Sequence, residues 1–253
     1  MDFGLSNKAA LITGGARGLG RAICLNLASE GSGIAINYRK DHERAWLLAE
    51  EIKEKYGVKA ICVKGDVTSE EDVKRIFCEV LCQLGRIDIL VNNSGICPVS
   101  MVKDMDLSEW NSVIGTNLTG TFLTSREMIN MLIAQNKCGK IVNIASQSAF
   151  NGSKTGKSHY AASKGGIVSF TLSLAKEAAR YGINVNAVAP GMMYTEMTAE
   201  TLDKNMDKYK KEIPIGRIAE LDEVARVVVF LASDVSSYIT GATLDVSGGI
   251  TGR

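Results

Sequence analysis

Short apolar runs alternate with stretches of helical period from one end of the chain to the other. The pattern predicts strands at residues 8–13, 33–38, 58–64, 87–92, 140–145, 184–189 and 243–246. Helical spacing fills residues 18–30 and 41–56, with Trp46, Leu47, Ile52 and Tyr56 as expected core contacts of the second helix. A third helix runs from a cap at Thr68 or Ser69 to Leu84, and the acidic Glu70, Glu71 and Asp72 favour its N-terminus. Strands alternating with helices imply βαβ units with right-handed crossovers. The expected fold is α/β: a doubly wound, Rossmann-type, mostly parallel sheet with helices on both faces. No linker or composition break divides the chain, so residues 1–253 read as one domain. The least regular stretch, 191–213, is a candidate substrate lid.

Composition narrows the class. A chain of 253 residues with 45% hydrophobic positions can bury a core without disulfides or metals. A net charge of +1 gives no electrostatic reason to expect nucleic acid or an acidic membrane as partner. No apolar run reaches the roughly 18–20 residues that span a bilayer. The cysteines are scattered, and Cys24, Cys62, Cys78 and Cys82 sit in apolar-patterned stretches as small core residues. Asp2 and the lack of a basic patch before an apolar run argue against a signal peptide. These features point to the cytoplasm. His42 and His159 stand far apart with no ligand cluster around them, so no metal site is expected.

The first strand is followed by Thr13-Gly14-Gly15-Ala16-Arg17-Gly18-Leu19-Gly20. Glycines let a backbone turn tightly against a pyrophosphate, and the helix that follows aims free N–H groups at the anion. The spacing of Gly14, Gly18 and Gly20 differs from G-x-G-x-x-G. It resembles the T-G-x-x-x-G-x-G loop of the short-chain dehydrogenase/reductase family. The rest of the chain resembles that family in order. Asn92-Asn93-Ser94-Gly95 is similar to its N-N-A-G element, Asn117 lies in an N-L-T-G stretch, and Ser146 follows a strand. Tyr160 and Lys164 form Y-x-x-x-K, and Pro190-Gly191 followed by Thr195 resembles P-G-x-x-x-T.

The resemblance implies a nicotinamide cofactor. Its contacts would be Gly14, Ala16, Arg17, Gly18, Leu19 and Gly20 in the first turn, and Tyr38, Arg39 and Lys40 after the second strand. Asp66, Val67, Asn93, Ser94 and Gly95 would follow, with Tyr160, Lys164, Pro190, Gly191, Met193 and Thr195 completing the set. Asp66 would meet the adenine, or it is a helix-cap aspartate. The second strand ends Asn37-Tyr38-Arg39-Lys40, without the acid that holds a ribose 2′-hydroxyl. With Arg17 nearby, these cations point to NADP(H) over NAD(H); otherwise Arg39 and Lys40 are a solvated patch. Thr195 would hold the nicotinamide carboxamide.

Four residues apart on a helix, Tyr160 and Lys164 share a face. A free tyrosine titrates near pH 10, and an adjacent ammonium lowers that value. The resemblance implies Tyr160 as acid/base, Lys164 as its partner, Ser146 on the substrate oxygen and Asn117 anchoring a water relay. Ser148 competes with Ser146 on spacing, and Ser146 is preferred because it directly follows the strand. The implied reaction interconverts a ketone and a secondary alcohol by hydride transfer.

Within the family the chain most resembles 3-oxoacyl-(acyl-carrier-protein) reductases, through Ile213-Pro214-Ile215-Gly216-Arg217 and residues 228–249. Cys97-Pro98-Val99 replaces their usual Thr-Arg-Asp, and Tyr181 stands where they often carry an arginine thought to meet the carrier protein. Lys137 and Lys140 supply a basic patch for a carrier protein, or a solvated helix end. The departures leave sugar, polyol, glucose and steroid dehydrogenases of the family open. So does Cys97, which lines a pocket or packs beside the loop. Met192, Met193 and Met197 suit an apolar substrate or plain packing. A non-catalytic nucleotide sensor would be marked by loss of Tyr160 or Lys164, and both are present. The family implies a homotetramer, built through the helices of Asn117 and Tyr160 and the C-terminal strand.

Overall fold

The computed structural model describes residues 2–250. Its strands are β1 (Ala9–Ile12), β2 (Gly33–Tyr38), β3 (Ala60–Lys64), β4 (Ile89–Asn92), β5 (Gly139–Ile144), β6 (Ile183–Pro190) and β7 (Thr243–Val246). They form one seven-stranded sheet in the order β3-β2-β1-β4-β5-β6-β7, parallel throughout. Every residue of β1, β4 and β5 is buried, as in strands covered on both faces.

The helices are α1 (Gly18–Ser29), α2 (His42–Tyr56), α3 (Glu70–Leu84), α4 (Leu107–Ile114) and α5 (Gly120–Ala134). They continue with α6 (Ser148–Asn151), α7 (Ser158–Ala178), α8 (Ala199–Glu212) and α9 (Leu221–Ala232). On one sheet face α1, α2 and α9 bury Ile23, Leu27, Leu48, Ile52 and Val228. On the other, α3, α5 and α7 bury Ile76, Phe77, Leu132 and Leu174. This is the doubly wound Rossmann-type fold. Its chain reverses direction across the sheet between β1 and β4, where such sheets open a crevice at their C-terminal edge. Among the described residues, no helix is long and apolar enough to cross a membrane.

Local chemistry sets the helix ends. Ser69, rather than Thr68, caps α3, its hydroxyl accepting from the Asp72 N–H at 3.2 Å. Gly85 then ends the helix at φ 80°, its N–H returning to the Leu81 carbonyl.

Several expectations are corrected. Trp46 and Leu47 are 51% and 53% exposed. The inward stripe of α2 is Ala45, Leu48, Ala49 and Ile52, and one 3.6-residue period cannot also turn positions 46 and 47 inward. Ile52 is buried and Tyr56 packs in part against the same core. Cys24 is buried and Cys62 half-buried, but Cys78 and Cys82 are exposed. They lie off the stripe of Val73, Ile76, Phe77 and Val80 that α3 presents to the sheet. Lys140 belongs to no surface patch: it lies within β5, buried, with its ammonium donating to Asn184 Oδ1 at 2.9 Å. Residues 191–213 are more regular than expected, because α8 fills most of them, with a kink at Asn205.

Candidate active site

The glycine turn joins β1 to α1 at the C-terminal edge of the sheet. Gly14 and Gly18 take φ values of 60° and 52°, which L side chains disfavour. A Cβ on Gly20 would sit 2.3 Å from the Gly14 carbonyl oxygen, so the turn closes only around glycine there. Asn93 pins this turn, its Nδ2 donating to the Thr13 and Gly14 carbonyls at 3.0 Å each. The Thr13 hydroxyl accepts in turn from the Asn93 and Ser94 N–H groups at 2.9 and 3.0 Å. Arg17 starts α1 without a side-chain cap, and the first turn carries no acid. The N–H groups of Gly18, Leu19 and Gly20 are thus left for an anion from outside the helix. The residues present fit a dinucleotide pyrophosphate.

The candidate catalytic residues come from three segments. Asn117 is fully buried in a π-helical turn, Gly115–Thr119, between α4 and α5. Its Oδ1 accepts from the Ile96 N–H at 2.9 Å, and its Nδ2 donates to Ile96 O and Ser163 Oγ at 3.0 Å each. Ser163 then donates to the Tyr160 carbonyl at 2.7 Å. Tyr160 and Lys164 stand on one face of α7, the ammonium 5.6 Å from the centre of the phenol ring. Ser146, buried two residues beyond β5, lies close enough to the Tyr160 phenol to favour its ionised form. Ser148 opens α6 instead, and its N–H donates to Ser146 Oγ at 3.1 Å.

The electrostatics of this cluster differ from the simple expectation of an acidified phenol. Burial pushes the Tyr160 phenol up to about 12, with Ser146 opposing. Burial also brings the Lys164 ammonium down to about 8. In the protein alone, desolvation by burial sets the direction of both shifts. Cys97 is half-buried beside them; burial pushes its thiol up, with Lys157 and Lys164 opposing.

The region just past β2 shows which side chains meet the cations there. Tyr38 is buried, and its hydroxyl meets His42 Nδ1 at 2.7 Å. Arg39 faces Asp66 at 3.3 Å, while Lys40 is exposed beside it. Burial works against Asp66 ionising, but hydrogen bonds from Thr68 and then Arg39 hold its carboxyl below the usual range. Val67 is buried against Gly120 of α5, where an added Cβ would come within 2.8 Å of it. Past β6, Gly191 donates to the Val246 carbonyl at 2.9 Å, and Met193 bridges to Ala219. Thr195 packs over Gly18. Sequence reasoning missed Arg44 and Glu196. Glu196 takes Arg17 at 2.5 Å and also pairs with Arg44. Only the fold brings these residues together.

The profile of a family described as Enoyl-(Acyl carrier protein) reductase matches residues 14–251. The chain is 45% identical over 250 residues to the 3-oxoacyl-(acyl-carrier-protein) reductase FabG of Aquifex aeolicus, covering 99% of this chain and all of that one. It is 40% identical to the protein of the same name from Staphylococcus epidermidis, over 96% of this chain and 99% of the relative. A solved short-chain type dehydrogenase/reductase from Mycobacterium marinum superposes with a TM-score of 0.94 at 35% identity, covering 100% of this chain and 98% of that one. A structure provisionally described as a gluconate dehydrogenase, from Agrobacterium tumefaciens, gives 0.94 at 35% identity, covering 100% and 99% of the two chains.

Proposed function

The chain belongs to the short-chain dehydrogenase/reductase family of oxidoreductases, and from that premise we propose that it is an NADP(H)-dependent reductase of 3-oxoacyl thioesters with Tyr160 as acid/base. One observation carries the reading: Ser146 and Lys164 converge on the Tyr160 phenol beside a glycine turn shaped for a dinucleotide.

A nicotinamide held by Gly14, Gly18, Gly20, Asn93 and Lys164 would supply the hydride in reduction and accept it in oxidation. The remaining work falls to side chains. A phenol pushed up to about 12 keeps its proton at neutral pH, so Tyr160 stands ready to donate it to a carbonyl oxygen. Ser146 donates a hydrogen bond to that same oxygen and holds the carbonyl in place. Lys164, as an ammonium, stabilises the phenolate that remains. Asn117 anchors the relay through which that proton is replaced. In the oxidative direction each transfer reverses.

The preference for NADP(H) is supported by Arg39 and Lys40 just past β2, where no acid ends the strand, together with Arg17 in the glycine turn and Arg44 in the first turn of α2. Kinship with carrier-protein reductases supports a thioester substrate delivered on an acyl carrier protein. A groove of about 420 Å³ at the C-terminal end of α7, lined in part by Lys176, Arg180 and Tyr181 with Glu177 among them, offers two basic groups for such a partner. A second reading, a sugar or polyol dehydrogenase, is favoured by the likeness to the gluconate dehydrogenase structure and by Cys97-Pro98-Val99. Residues 191–213 serve as the substrate lid in either case. Exposed Phe122 and Ile133 on α5 and Leu172 on α7 support assembly into a homotetramer, working in the cytoplasm. Steady-state kinetics with NADPH and NADH on an acetoacetyl thioester and a sugar panel tests both levels. NADPH consumed with the thioester is the expected result, and preference for NADH would overturn the cofactor assignment.

A further inference from the structure

Beyond β6 the chain crosses back over the glycine turn, so that Thr195 lies above Gly18. The next residue, Glu196, gives its carboxylate to two arginines from different elements. One oxygen takes Arg17 Nη1 at 2.5 Å, from the turn before α1. The other takes Arg44 Nη1, in the first turn of α2. Arg44 also meets Asp41 at 3.1 Å through Nε. The Arg44 hydrogen bond, with Arg17 beside it, holds the Glu196 carboxyl below its usual range.

Arg17 and Arg44 are thus a two-armed anion site already closed on an internal anion. Arg39 is turned away from it, toward Asp66. The side chains of Arg17, Arg44 and Glu196 are 66%, 49% and 53% exposed, so solvent screens these contacts and a stronger anion can replace the carboxylate. A phosphate monoester brings about −1.5 to −2 charges and three acceptor oxygens at neutral pH. Glu196 brings one charge and two oxygens. Guanidinium forks favour the phosphate.

We propose that Glu196 is an internal competitor for the 2′-phosphate of the cofactor's adenosine ribose, and that Arg44 joins Arg17 in holding that phosphate once Glu196 is displaced. This rests on the NADP(H) reading above. It adds a phosphate ligand from α2 that the strand-end cations Arg39 and Lys40 did not suggest. It also couples the arrival of a phosphorylated dinucleotide to the segment that carries Thr195, because Glu196 must leave the arginines. A dinucleotide with a free 2′-hydroxyl carries only its pyrophosphate, which the N–H groups of the glycine turn take, and brings no further phosphate to the two arginines.

Calorimetric titration of the full chain with 2′,5′-ADP and with 5′-ADP tests the idea without any turnover. Wild type is expected to bind 2′,5′-ADP more tightly. Glu196→Gln removes the competitor's charge and should tighten 2′,5′-ADP about threefold, the scale of an exposed ion pair, while 5′-ADP is unchanged. Arg44→Ala should weaken 2′,5′-ADP about tenfold, the scale of a charge-assisted contact, again with 5′-ADP unchanged. If wild type discriminates but either variant shifts both ligands equally or neither, the proposal is overturned and the NADP(H) reading stands. If wild type fails to discriminate, the NADP(H) reading falls and this proposal falls with it.

Discussion

The Lys164 ammonium donates to the Ile144 carbonyl oxygen at 2.6 Å. Ile144 ends β5, the strand that leads to Ser146, so this bond ties the Tyr160 helix to the strand that positions the serine. It also keeps a cation inside the protein, and burial brings that cation down to about 8.

A stability effect follows from this burial. An unfolded lysine titrates near 10.4. Below pH 8 both states carry the proton and the burial cost is fully felt. Between about 8 and 10.4 the unfolded state binds more protons, so Lys164 destabilises less as pH rises. Lys164→Met should therefore stabilise the cofactor-free protein at pH 7, on the order of 1–3 kcal/mol after the lost Ile144 bond is counted. The gain should shrink toward pH 10. Urea denaturation at the two pH values reads it. A variant less stable than wild type at pH 7 would contradict the burial argument.

The two serines separate cleanly. Ser146 stands beside the phenol and acts on its ionisation, whereas Ser148 begins a short helix. Ser146→Ala should lower kcat/KM by about 10²–10³, the scale of one lost donor to a developing oxyanion. Ser148→Ala should stay within about threefold of wild type. Parallel kinetics decide it, and the reverse order of effects would move the role to Ser148.

The glycine turn makes a structural prediction. A Cβ at Gly20 meets the Gly14 carbonyl at 2.3 Å, and that carbonyl is held by Asn93. Gly20→Ala should cost roughly 1–3 kcal/mol by overpacking and should also deform the dinucleotide cradle. At Gly57 a Cβ meets nothing within 4 Å and only the φ of 67° is strained, so Gly57→Ala should cost about 1 kcal/mol and leave binding intact. Thermal melts with and without NADPH compare the two. Equal NADPH-induced shifts in both variants would show that the turn does not shape the cofactor site.

Much of this was legible in the sequence, for a physical reason. Strands buried on both faces read as near-continuous apolar runs, so β1 and β4 stand out without any structure. Glycines at 14, 18 and 20 mark a turn that favours glycine, by positive φ at the first two and by close backbone approach at the third. The errors share a cause too. Trp46 and Leu47 are large and apolar, but helix phase, not size, decides what faces the sheet, and Ala45 and Ala49 hold the inward positions. Lys140 looked like surface because it is charged, yet the sheet register sets it inside, beside Asn184. The Glu196 contacts with Arg17 and Arg44 span 179 and 152 positions, and no local pattern announces them. The direction in which burial moves Tyr160 and Lys164 is equally a property of the packed site.

The most direct measurement is made on Tyr160→Phe, which removes one oxygen and keeps the ring. NADPH affinity, followed by fluorescence titration, should stay within about threefold of wild type. Ketone reduction by the same sample should fall by at least about 10³, because the proton donor is gone. Intact binding with a tenth or more of wild-type turnover would contradict the assignment of Tyr160 as the acid.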